Sequence, residues 1–532
     1  MAEEKEKIKI RLLNIRHPFD ESPNLPVLAS AALRIAAEDV TSVQIIRRSV
    51  DARQERLDRV YTLAIEIVAA RQALDDILKR KDVEIYQAAP APVVHRLKSS
   101  AADPVIIGCG PSGLFAAMTL VERGARPILI ERGSRMSKRV REVNQFWKHG
   151  VLNTESNVLF GEGGAGTFSD GKLTTRIKSP LKEKILCELV KFGAPEEIRY
   201  VNKPHLGTDR IRQIISAIVE SLEQKGVRFV FEANVQGIDV QDGYMRGIRT
   251  QDQFIRADTV FLGSGLSARD IYDNLQQHGA VLEAKSFAVG LRIEHPQEFI
   301  NRQQWGKWTG TPGLEAADYF LTCQDGVSGR GVYTFCMCPG GHVIACSSRP
   351  GELLTNGMSA YLRDSPWANA AVVVTVGPDD FSSQQPLAGI ELQQHLEKKA
   401  FMAGGGNFML PAQSAHDFVT GAGVANDIPG NSCLPGAVHA DLGKLLPDFL
   451  ATPLKKALIQ FDKKMPGFID AGTLFGVETR TSSPVRIKRN AHNFHAIGVN
   501  GLIPIGEGSG YAGGIMSCAV DGMRAALSFD QS

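Results

Sequence analysis

The sequence lacks the features that identify several common classes of protein. Its eight cysteines form no C-x-x-C pair, which argues against a disulfide framework and against a four-ligand zinc or iron–sulfur site. Lys and Arg total 60 against 58 Asp and Glu, so no global field favours nucleic acid. No apolar run reaches ~18 residues, and the start, MAEEKEKIKI, has no apolar signal-peptide core. We expect a cytoplasmic protein with no metal, no nucleic-acid partner and no membrane insertion.

What is present is a long chain with enough apolar surface for more than one core. The 532 residues are 43% hydrophobic, which predicts two or three domains. Apolar periodicity over residues 1–90 predicts the element order β-α-β-β-α-β, and hence a ferredoxin-like domain. The predicted strands cover residues 7–16, 42–50, 59–68 and 83–87, and the predicted helices cover 25–37 and 70–80. We interpret this domain as a docking or regulatory module.

Residues 91–103 are rich in Ala, Pro and Ser and are predicted to form a linker. A βαβ unit then begins at Pro104, in PVIIGCGPSGLFAAMTLVERGARPILIERG. Its G-x-G-x-x-G turn places Gly110 where the backbone can approach a pyrophosphate, and Glu131 follows about 20 residues later as a ribose acceptor. The predicted dinucleotide-binding residues are Gly108, Gly110, Pro111, Ser112, Gly113, Glu131 and Arg132. A carboxylate at this position disfavours the 2′-phosphate of NADP.

Two later segments resemble parts of flavoproteins that bind two dinucleotides. They are IRADTVFLGSGLSARD and the glycine-rich NGLIPIGEGSGYAGGIMSCAVDGMRAA near the end of the chain. The resemblance implies FAD, with Glu507 beside the ribityl chain and a helix N-terminus near Gly513 directed at the flavin ring. The residues implied to bind FAD here are Gly263, Ser264, Gly265, Gly506, Glu507, Gly513, Gly514 and Ile515.

Four further motifs resemble a largely uncharacterised bacterial family of FAD-dependent dehydrogenases. They are SNVLFGEGGAGTFSDGKL, TFCMCPGGHVIACSS, AGGGNFMLPAQ and GVETRTSSPVRI. The resemblance implies an FAD-dependent oxidoreductase that exchanges hydride with a small-molecule substrate, but it names no substrate. Within the first motif, Gly163, Gly164, Gly166 and Thr167 are expected to approach FAD closely.

The candidate catalytic residues are Lys172 and His295. Lys172 either neutralises the reduced flavin or a substrate anion, or is a solvated loop lysine. His295 follows Glu294 on a predicted strand, so the two side chains should face opposite sides and form no simple acid–base dyad.

Cys336 and Cys338 share a face of a predicted strand, and we favour buried apolar cysteines over redox chemistry. Glu478 and Arg480 are predicted either to pair with each other or to orient a ligand. The basic run RMSKRVREVNQFWK is predicted to be mostly a solvated helix face.

A rival NAD site remains open. Gly263, Gly265 and Ala268 form G-x-G-x-x-A, and Glu283 ends a possible strand about 20 residues further on. We favour a second FAD contact because the intervening helix is short for a βαβ crossover.

The predicted fold class is α/β, with a discontinuous Rossmann-like FAD domain at residues 104–285 and 470–532. An α+β cap at 286–469 is inserted between these two parts, with helices around residues 390–402 and 445–464. Two alternatives to the oxidoreductase remain: a flavin-binding regulatory or docking protein, and an NADH-using flavin reductase. NADH or another electron carrier is a possible partner, and the sequence does not specify the oligomeric state.

Overall fold

The computed structural model describes residues 5–87, 93–97, 103–422, 428 and 430–529. The chain divides into two compact units. The first comprises Met1–Pro92, Pro180–Pro204 and Lys307–Pro312, and the second comprises Val93–Ser179, His205–Gly306 and Gly313–Ser532. Most of the predicted linker, residues 91–103, lies outside the described residues.

The regular elements are numbered in chain order. The strands are β1 Lys5–Pro18, β2 Val40–Asp51, β3 Asp58–Ala70, β4 Val83–Ile85, β5 Val105–Ile107, β6 Ile128–Ile130, β7 Arg228–Val230, β8 Val235–Gln241, β9 Tyr244–Thr250, β10 Phe254–Arg256, β11 Val260–Leu262, β12 Leu282–Ala284, β13 Phe287–Pro296, β14 Thr322–Gln324, β15 Gly331–Cys338, β16 Gly341–Cys346, β17 Leu354–Ser359, β18 Trp367–Val376, β19 Leu410–Ser414, β20 Ala437–His439, β21 Thr473–Glu478, β22 Val485–Ile487 and β23 Leu502–Pro504. The helices are α1 Leu25–Leu33, α2 Arg71–Leu78, α3 Pro111–Glu122, α4 Met136–His149, α5 Leu181–Lys191, α6 Gly207–Gln224, α7 Asp270–Gln277, α8 Gln297–Trp305, α9 Ala388–Ala403, α10 Ala415–Thr420, α11 Leu442–Leu445, α12 Asp448–Lys464 and α13 Ile515–Ser528. In the described part of the chain, no helix is long and apolar enough to cross a membrane.

The first unit contains a four-stranded antiparallel sheet in the order β2-β3-β1-β4. Its six N-terminal elements follow the predicted order, because alternating apolar residues bury one face of each long strand. Helix α1 is shorter than predicted. Arg34 adopts the left-handed conformation with φ of 60°, and its N–H bonds back to Ala31, which ends the helix at Leu33.

Residues 180–204 belong to the first unit, whereas the sequence-based division places them in the 104–285 segment. They attach along the edge strand β2. The Arg48 N–H donates to the Tyr200 carbonyl at 2.7 Å, and the Asn202 N–H donates to the Arg48 carbonyl at 2.9 Å. The Arg48 guanidinium also pairs with Glu197 at 2.9 Å. Backbone pairing between segments distant in sequence explains why composition alone did not reveal this attachment.

The second unit contains a five-stranded parallel sheet in the order β23-β11-β5-β6-β7. Val105, Ile106 and Ile107 of the central strand β5 are all buried, as expected for a parallel strand covered on both faces. Strand β23 joins this sheet from the end of the chain, so residues 104–285 and 470–529 build one sheet together.

A second, mixed sheet of seven strands follows the order β14-β15-β18-β13-β21-β19-β20. Helices α9 and α12 pack with this sheet, and both lie where the sequence predicted cap helices. Strand β21 lies beyond the predicted cap boundary at residue 469. It is nevertheless a member of this sheet, because it pairs antiparallel with β13 and β19.

Candidate functional site

Three glycine turns meet at the carboxyl edge of the parallel sheet. Gly108 follows β5, Gly263 follows β11 and Gly506 follows β23. A side-chain carbon built on Gly108 would lie 2.3 Å from the Gly263 carbonyl oxygen, so these backbones need glycine to pack this closely. The Gly263 N–H also donates to the Ile107 carbonyl at 2.8 Å. Ligands of open parallel sheets bind at this edge.

The glycine-rich loop around residues 161–168 joins the same region. The Gly163 N–H donates to the Cys109 carbonyl at 2.9 Å. A carbon built on Gly164 would lie 3.1 Å from the Cα of Gly110, and one built on Gly166 would lie 3.2 Å from the Ile515 side chain. The structure therefore brings together glycine segments from four separate parts of the sequence.

Some of these glycines face open space rather than protein. A carbon built on Gly110 has its nearest protein neighbour at 3.9 Å, and one on Gly513 at 3.8 Å. Gly265 and Gly514 have no protein atom within 4 Å of that position. We call the space bordered by Gly110, Gly265, Gly513 and Gly514 the cradle. Its bare backbone lets an elongated ligand approach closely, as the pyrophosphate and flavin ring of FAD would.

Two helices begin at this cradle. Gly110 is the N-cap of α3 and Gly514 is the N-cap of α13, and neither cap has a side-chain hydrogen bond. Pro111 occupies the first position of α3, where a missing N–H costs little. The first N–H groups of such helices and their positive dipole ends suit a phosphate and a reduced flavin.

Glu131 lies directly after β6 and is buried. Its carboxylate accepts backbone N–H bonds from Cys109 at 2.8 Å, Gly133 at 2.9 Å and Gly161 at 3.0 Å. It therefore ties together the two loops that flank the cradle. A carboxylate offers about four lone-pair sites, which leaves one for a ribose hydroxyl.

Arg132 has protein partners on several sides. Its guanidinium pairs with Glu155 at 2.9 Å and with Asp270 at 3.2 Å, and it stacks over the Phe160 ring at 4.1 Å. These contacts fix the loop before residue 161.

Arg139 is a residue whose role the sequence did not reveal. It lies on α4, whose basic run was predicted to be mostly solvated, yet its side chain is fully buried. Its guanidinium donates to backbone carbonyls of the cradle loop at 2.7–2.9 Å, namely those of Asn157, Val158, Glu162 and Gly164. Burial lowers the pKa of Arg139 to about 10, so it remains charged at neutral pH. Arg139 shares the buried face of α4 with Met136, Val143, Phe146 and Trp147, so helical spacing could have indicated its burial.

Glu507 occupies the turn after β23. Burial raises its pKa to about 7; Lys285 opposes this shift, and the Cys336 sulfur adds to it. The Tyr272 hydroxyl donates to the neighbouring Gly508 carbonyl at 2.8 Å and fixes this turn. Glu507 is therefore an acid near neutrality at one end of the cradle.

Lys172 ends the glycine-rich loop and is half-buried. Its Nζ donates to Asp170 at 2.7 Å and to the Met337 carbonyl. Burial opposes the charge, but Asp170 and the two nearby cysteines raise the pKa of Lys172 overall. Asp170 also pairs with Arg363 at 2.6 Å. Lys172 is therefore a paired lysine rather than a solvated one, and its closest described partners belong to the protein.

Cys336 and Cys338 lie at an irregularity in β15. The register against β18 shifts between Phe335 and Cys338, and Cys336 has a positive φ of 47°, which is unusual for a non-glycine residue. Cys338 is buried and Cys336 is half-exposed. The expectation of two buried apolar cysteines therefore describes Cys338 but not Cys336.

Glu478 and Arg480 do not pair with each other. Glu478 accepts two hydrogen bonds from Arg292, at 3.0 and 3.1 Å. Arg480 pairs with Glu397 at 2.8 Å, within a buried ionic cluster that includes Arg269. Each therefore holds a different part of the cap in place.

His295 and Glu294 have separate hydrogen-bond partners and do not form an acid–base pair. Both are buried on β13, and Glu294 accepts hydrogen bonds from the N–H and the hydroxyl of Ser432. His295 bonds to the Phe468 carbonyl at 2.8 Å and stacks on Phe299. Burial lowers the pKa of His295 to about 4, so it is neutral at physiological pH. These contacts place His295 in an aromatic core.

The Gly263–Glu283 segment does not form a second βαβ unit. Strand β12, which contains Glu283, pairs antiparallel with β22 instead of joining the parallel sheet. The Glu283 carboxylate pairs with Arg486 at 3.1 Å and Lys488 at 3.0 Å. Gly263 and Gly265 instead belong to the cradle beside Gly108 and Gly508.

The sequence has clear relatives. The family profile described as "FAD-dependent protein, C-terminal domain-like" matches residues 286–481, and a domain of unknown function, DUF8436, matches residues 9–66. An uncharacterised protein of Clostridium beijerinckii is 43% identical over 529 residues, which cover 97% of this chain and 98% of that protein. Protein FixC of Salmonella typhi is 22% identical over 209 residues, covering 37% of this chain and 44% of FixC.

Solved structures show more distant likeness. A geranylgeranyl bacteriochlorophyll reductase-like protein of Thermoplasma acidophilum has a TM-score of 0.35 and 11% identity, with 80% of this chain and 77% of that chain covered. CtdE in complex with FAD has a TM-score of 0.30 and 11% identity, with 82% of each chain covered.

The fold and the cradle define a flavoprotein with a parallel α/β nucleotide-binding sheet. Its cofactor is FAD. The chain belongs to an uncharacterised family of FAD-dependent proteins that includes its Clostridium relative.

Proposed function

We propose that the protein is an FAD-dependent oxidoreductase that exchanges hydride between its flavin and a small-molecule substrate held beneath the mixed-sheet domain. The supporting observation is the convergence of four glycine segments around an open cradle at the sheet edge. The proposed architecture is a ferredoxin-like N-terminal domain, a discontinuous FAD domain and an inserted cap.

The residues divide into roles along the cradle. The turn from Gly108 to Gly113 and the start of α3 would hold the pyrophosphate, and Glu131 would accept a ribose hydroxyl. The loop residues from Gly163 to Thr167, with Ser264, would line the cofactor. FAD, when bound, supplies the two-electron chemistry at its ring. The start of α13 at Gly514 and Ile515 would stabilise negative charge there.

The proposed substrate region contains charged groups of the cap. Arg292 and Glu478 form a buried pair beneath Cys336, and Lys172 lies on the loop that leads from the cradle. Preorganised charges of this kind stabilise charge that develops during reaction. His295 is not included, because its ring is enclosed by Phe299, Tyr319 and Phe468.

The experiment is an anaerobic screen of the purified yellow protein for compounds that bleach the oxidised flavin, with NADH among them. At least one class of donor should reduce the flavin in the wild type. A Gly110→Ala variant, expected to bind FAD much more weakly, serves as the control for reduction by trace free flavin. If the wild type binds FAD but no donor reduces it, the oxidoreductase proposal is wrong and a regulatory role takes its place.

A further inference from the structure

The Cys336-Met337-Cys338 segment has a backbone suited to bringing two sulfurs together. Two residues apart in an extended strand, the Cα atoms would be separated by roughly 6.6 Å, near the upper limit for a disulfide. At Cys336 the chain departs from this extended geometry, with a positive φ of 47° and a register shift against the neighbouring strand. The Cys338 thiol donates to the Cys336 carbonyl at 3.5 Å and also interacts with the Cys336 sulfur.

Buried and half-buried ionic groups surround the pair. Lys172 and Arg363 share the single carboxylate of Asp170, while Arg292 is matched by Glu478. Lys172 and Arg292 favour a thiolate at Cys336, whereas Asp170 opposes it, and Glu507 also interacts with its charge. The hydrogen bond from Cys338 and the nearby cations lower the pKa of Cys336, although burial opposes its charge.

The other thiol is held by the protein. Gly357 has no side chain because a carbon there would lie 2.9 Å from the Cys338 sulfur and 2.5 Å from an Arg292 nitrogen. The same hydrogen bond with Cys336 raises the pKa of Cys338 well above its usual value. One half-exposed, thiolate-stabilised sulfur beside one buried thiol is the arrangement of an attacking and a resolving cysteine.

The pair also lies close to the cofactor cradle. Charge on Cys336 contributes to the raised pKa of Glu507, which follows β23 at the cradle. The Met337 carbonyl, between the two cysteines, accepts a hydrogen bond from Lys172 on the glycine-rich loop. The thiol pair is therefore connected to the cradle both by contact and by charge.

We propose that Cys336 and Cys338 form a dithiol–disulfide couple that exchanges two electrons with FAD, and that the substrate class is a disulfide. This inference rests on the proposed oxidoreductase function and names its substrate chemistry.

Each step of this chemistry balances. The Cys336 thiolate attacks one sulfur of the substrate disulfide, forms a mixed disulfide and releases the other sulfur as a thiolate. That leaving thiolate takes the Cys338 proton, and the Cys338 sulfur then attacks Cys336 and releases the second substrate thiolate. The Cys336–Cys338 disulfide returns to one thiolate and one thiol by accepting two electrons and one proton from reduced FAD. A two-electron donor of the nicotinamide class restores reduced FAD.

The first test counts electrons and uses no substrate. The FAD-loaded full-length protein is oxidised with diamide, desalted and titrated anaerobically with dithionite. Wild type should need four electrons per FAD for complete bleaching, because the disulfide takes two, whereas Cys338→Ser should need only two. Cys323→Ser removes a half-buried cysteine outside the pair and should still need four. Complete bleaching of the wild type with two electrons would overturn the proposal, as would a count of four in Cys338→Ser.

The second test needs no variant for its main result. After diamide treatment, the tryptic peptide from Gly331 to Arg363 should contain a Cys336–Cys338 disulfide and one alkylatable thiol at Cys346. Three alkylatable thiols would overturn the proposal even if Cys338→Ser failed to fold.

A third arm tests the disulfide substrate with glutathione disulfide as the probe. Added to the fully reduced protein, it should reoxidise FAD in the wild type and leave a mixed disulfide on Cys336 in Cys338→Ser, with FAD still reduced. Equal reoxidation in both proteins would overturn the proposal. A failure of the oxidoreductase proposal would instead appear in the donor screen, while the dithionite count remained four.

Discussion

Gly110 and Gly113 lie three residues apart at the start of α3, yet the same substitution should affect them in different ways. Gly110 has an ordinary backbone, with φ of −82° and ψ of −178°, and a carbon built on it meets its nearest protein atom at 3.9 Å. A carbon built on Gly113 would lie 2.0 Å from the Gly108 carbonyl oxygen. We therefore expect Gly110→Ala to impair FAD binding and Gly113→Ala to impair folding.

The magnitudes follow from these distances. Because the Gly110 site accommodates a methyl group, Gly110→Ala should change the free energy of unfolding of the FAD-free protein by less than about 1 kcal/mol. The methyl group would occupy space needed by the pyrophosphate, at a cost of about 1–3 kcal/mol, which is roughly a ten- to hundredfold loss of FAD affinity. Gly113→Ala sets a side-chain carbon against backbone, so we expect it to destabilise the fold by about 3 kcal/mol or more.

Thermal unfolding at increasing FAD concentration separates the two effects. At an FAD concentration about 100 times the wild-type Kd, binding should stabilise the wild type by about 2.7 kcal/mol. If the Kd of Gly110→Ala is a hundredfold higher, the same FAD stabilises it by only about 0.4 kcal/mol. A Gly110→Ala protein that purifies with full FAD and matches the wild-type response would refute the placement of the pyrophosphate at this turn.

Three other substitutions test separate parts of the site. Arg139→Met should lower the FAD content and destabilise the protein by about 3 kcal/mol or more, because several loop carbonyls lose a buried donor. Arg141 is exposed on the same helix, so Arg141→Met should change neither quantity. Lys172→Met should retain FAD but raise the pKa of Cys336. The pH profile of Cys336 alkylation, measured by mass spectrometry, should therefore shift to higher pH. An unchanged profile would show that Asp170 already cancels the lysine charge. Burial raises the pKa of Glu294 from 4.5 to about 7, so the stability that protonated Glu294 contributes is lost as pH rises through that interval. The unfolding temperature of Glu294→Gln should therefore rise relative to that of the wild type between about pH 5 and pH 8. An equal difference at both pH values would contradict the shift.

Local sequence patterns predicted the elements that depend on local interactions. The six N-terminal elements follow from apolar periodicity, and the βαβ unit from its glycine spacing, because both signals lie within about 30 residues. Strand β21 shows where this approach ends. Its residues were grouped with the final FAD segment by position in the chain, but they pair with β13, almost 200 residues away, and no local pattern encodes that register.

The candidate site shows the same division. The glycine segments were recognised one by one, and the structure places them together at the sheet edge. The burial of Arg139 was missed although it shares a helix face with Met136 and Val143, whereas its backbone carbonyl partners leave no mark in sequence. The half-exposed Cys336 was missed because only a register shift, not the spacing of the two cysteines, distinguishes it from a regular strand residue.

The loop from Gly161 to Lys172 connects the FAD cradle with the thiol pair, and this connection has a chemical consequence. At its start, Glu131 and Arg139 hold the loop against the cradle. At its end, Lys172 bonds to Asp170 and to the carbonyl between the two cysteines. A loop fixed at both ends transmits a displacement at one end to the other, because packed interiors yield little. Occupancy of the cradle by FAD and the charge beside Cys336 are therefore coupled through a single stretch of backbone, so the reactivity of the thiol should depend on whether FAD is bound.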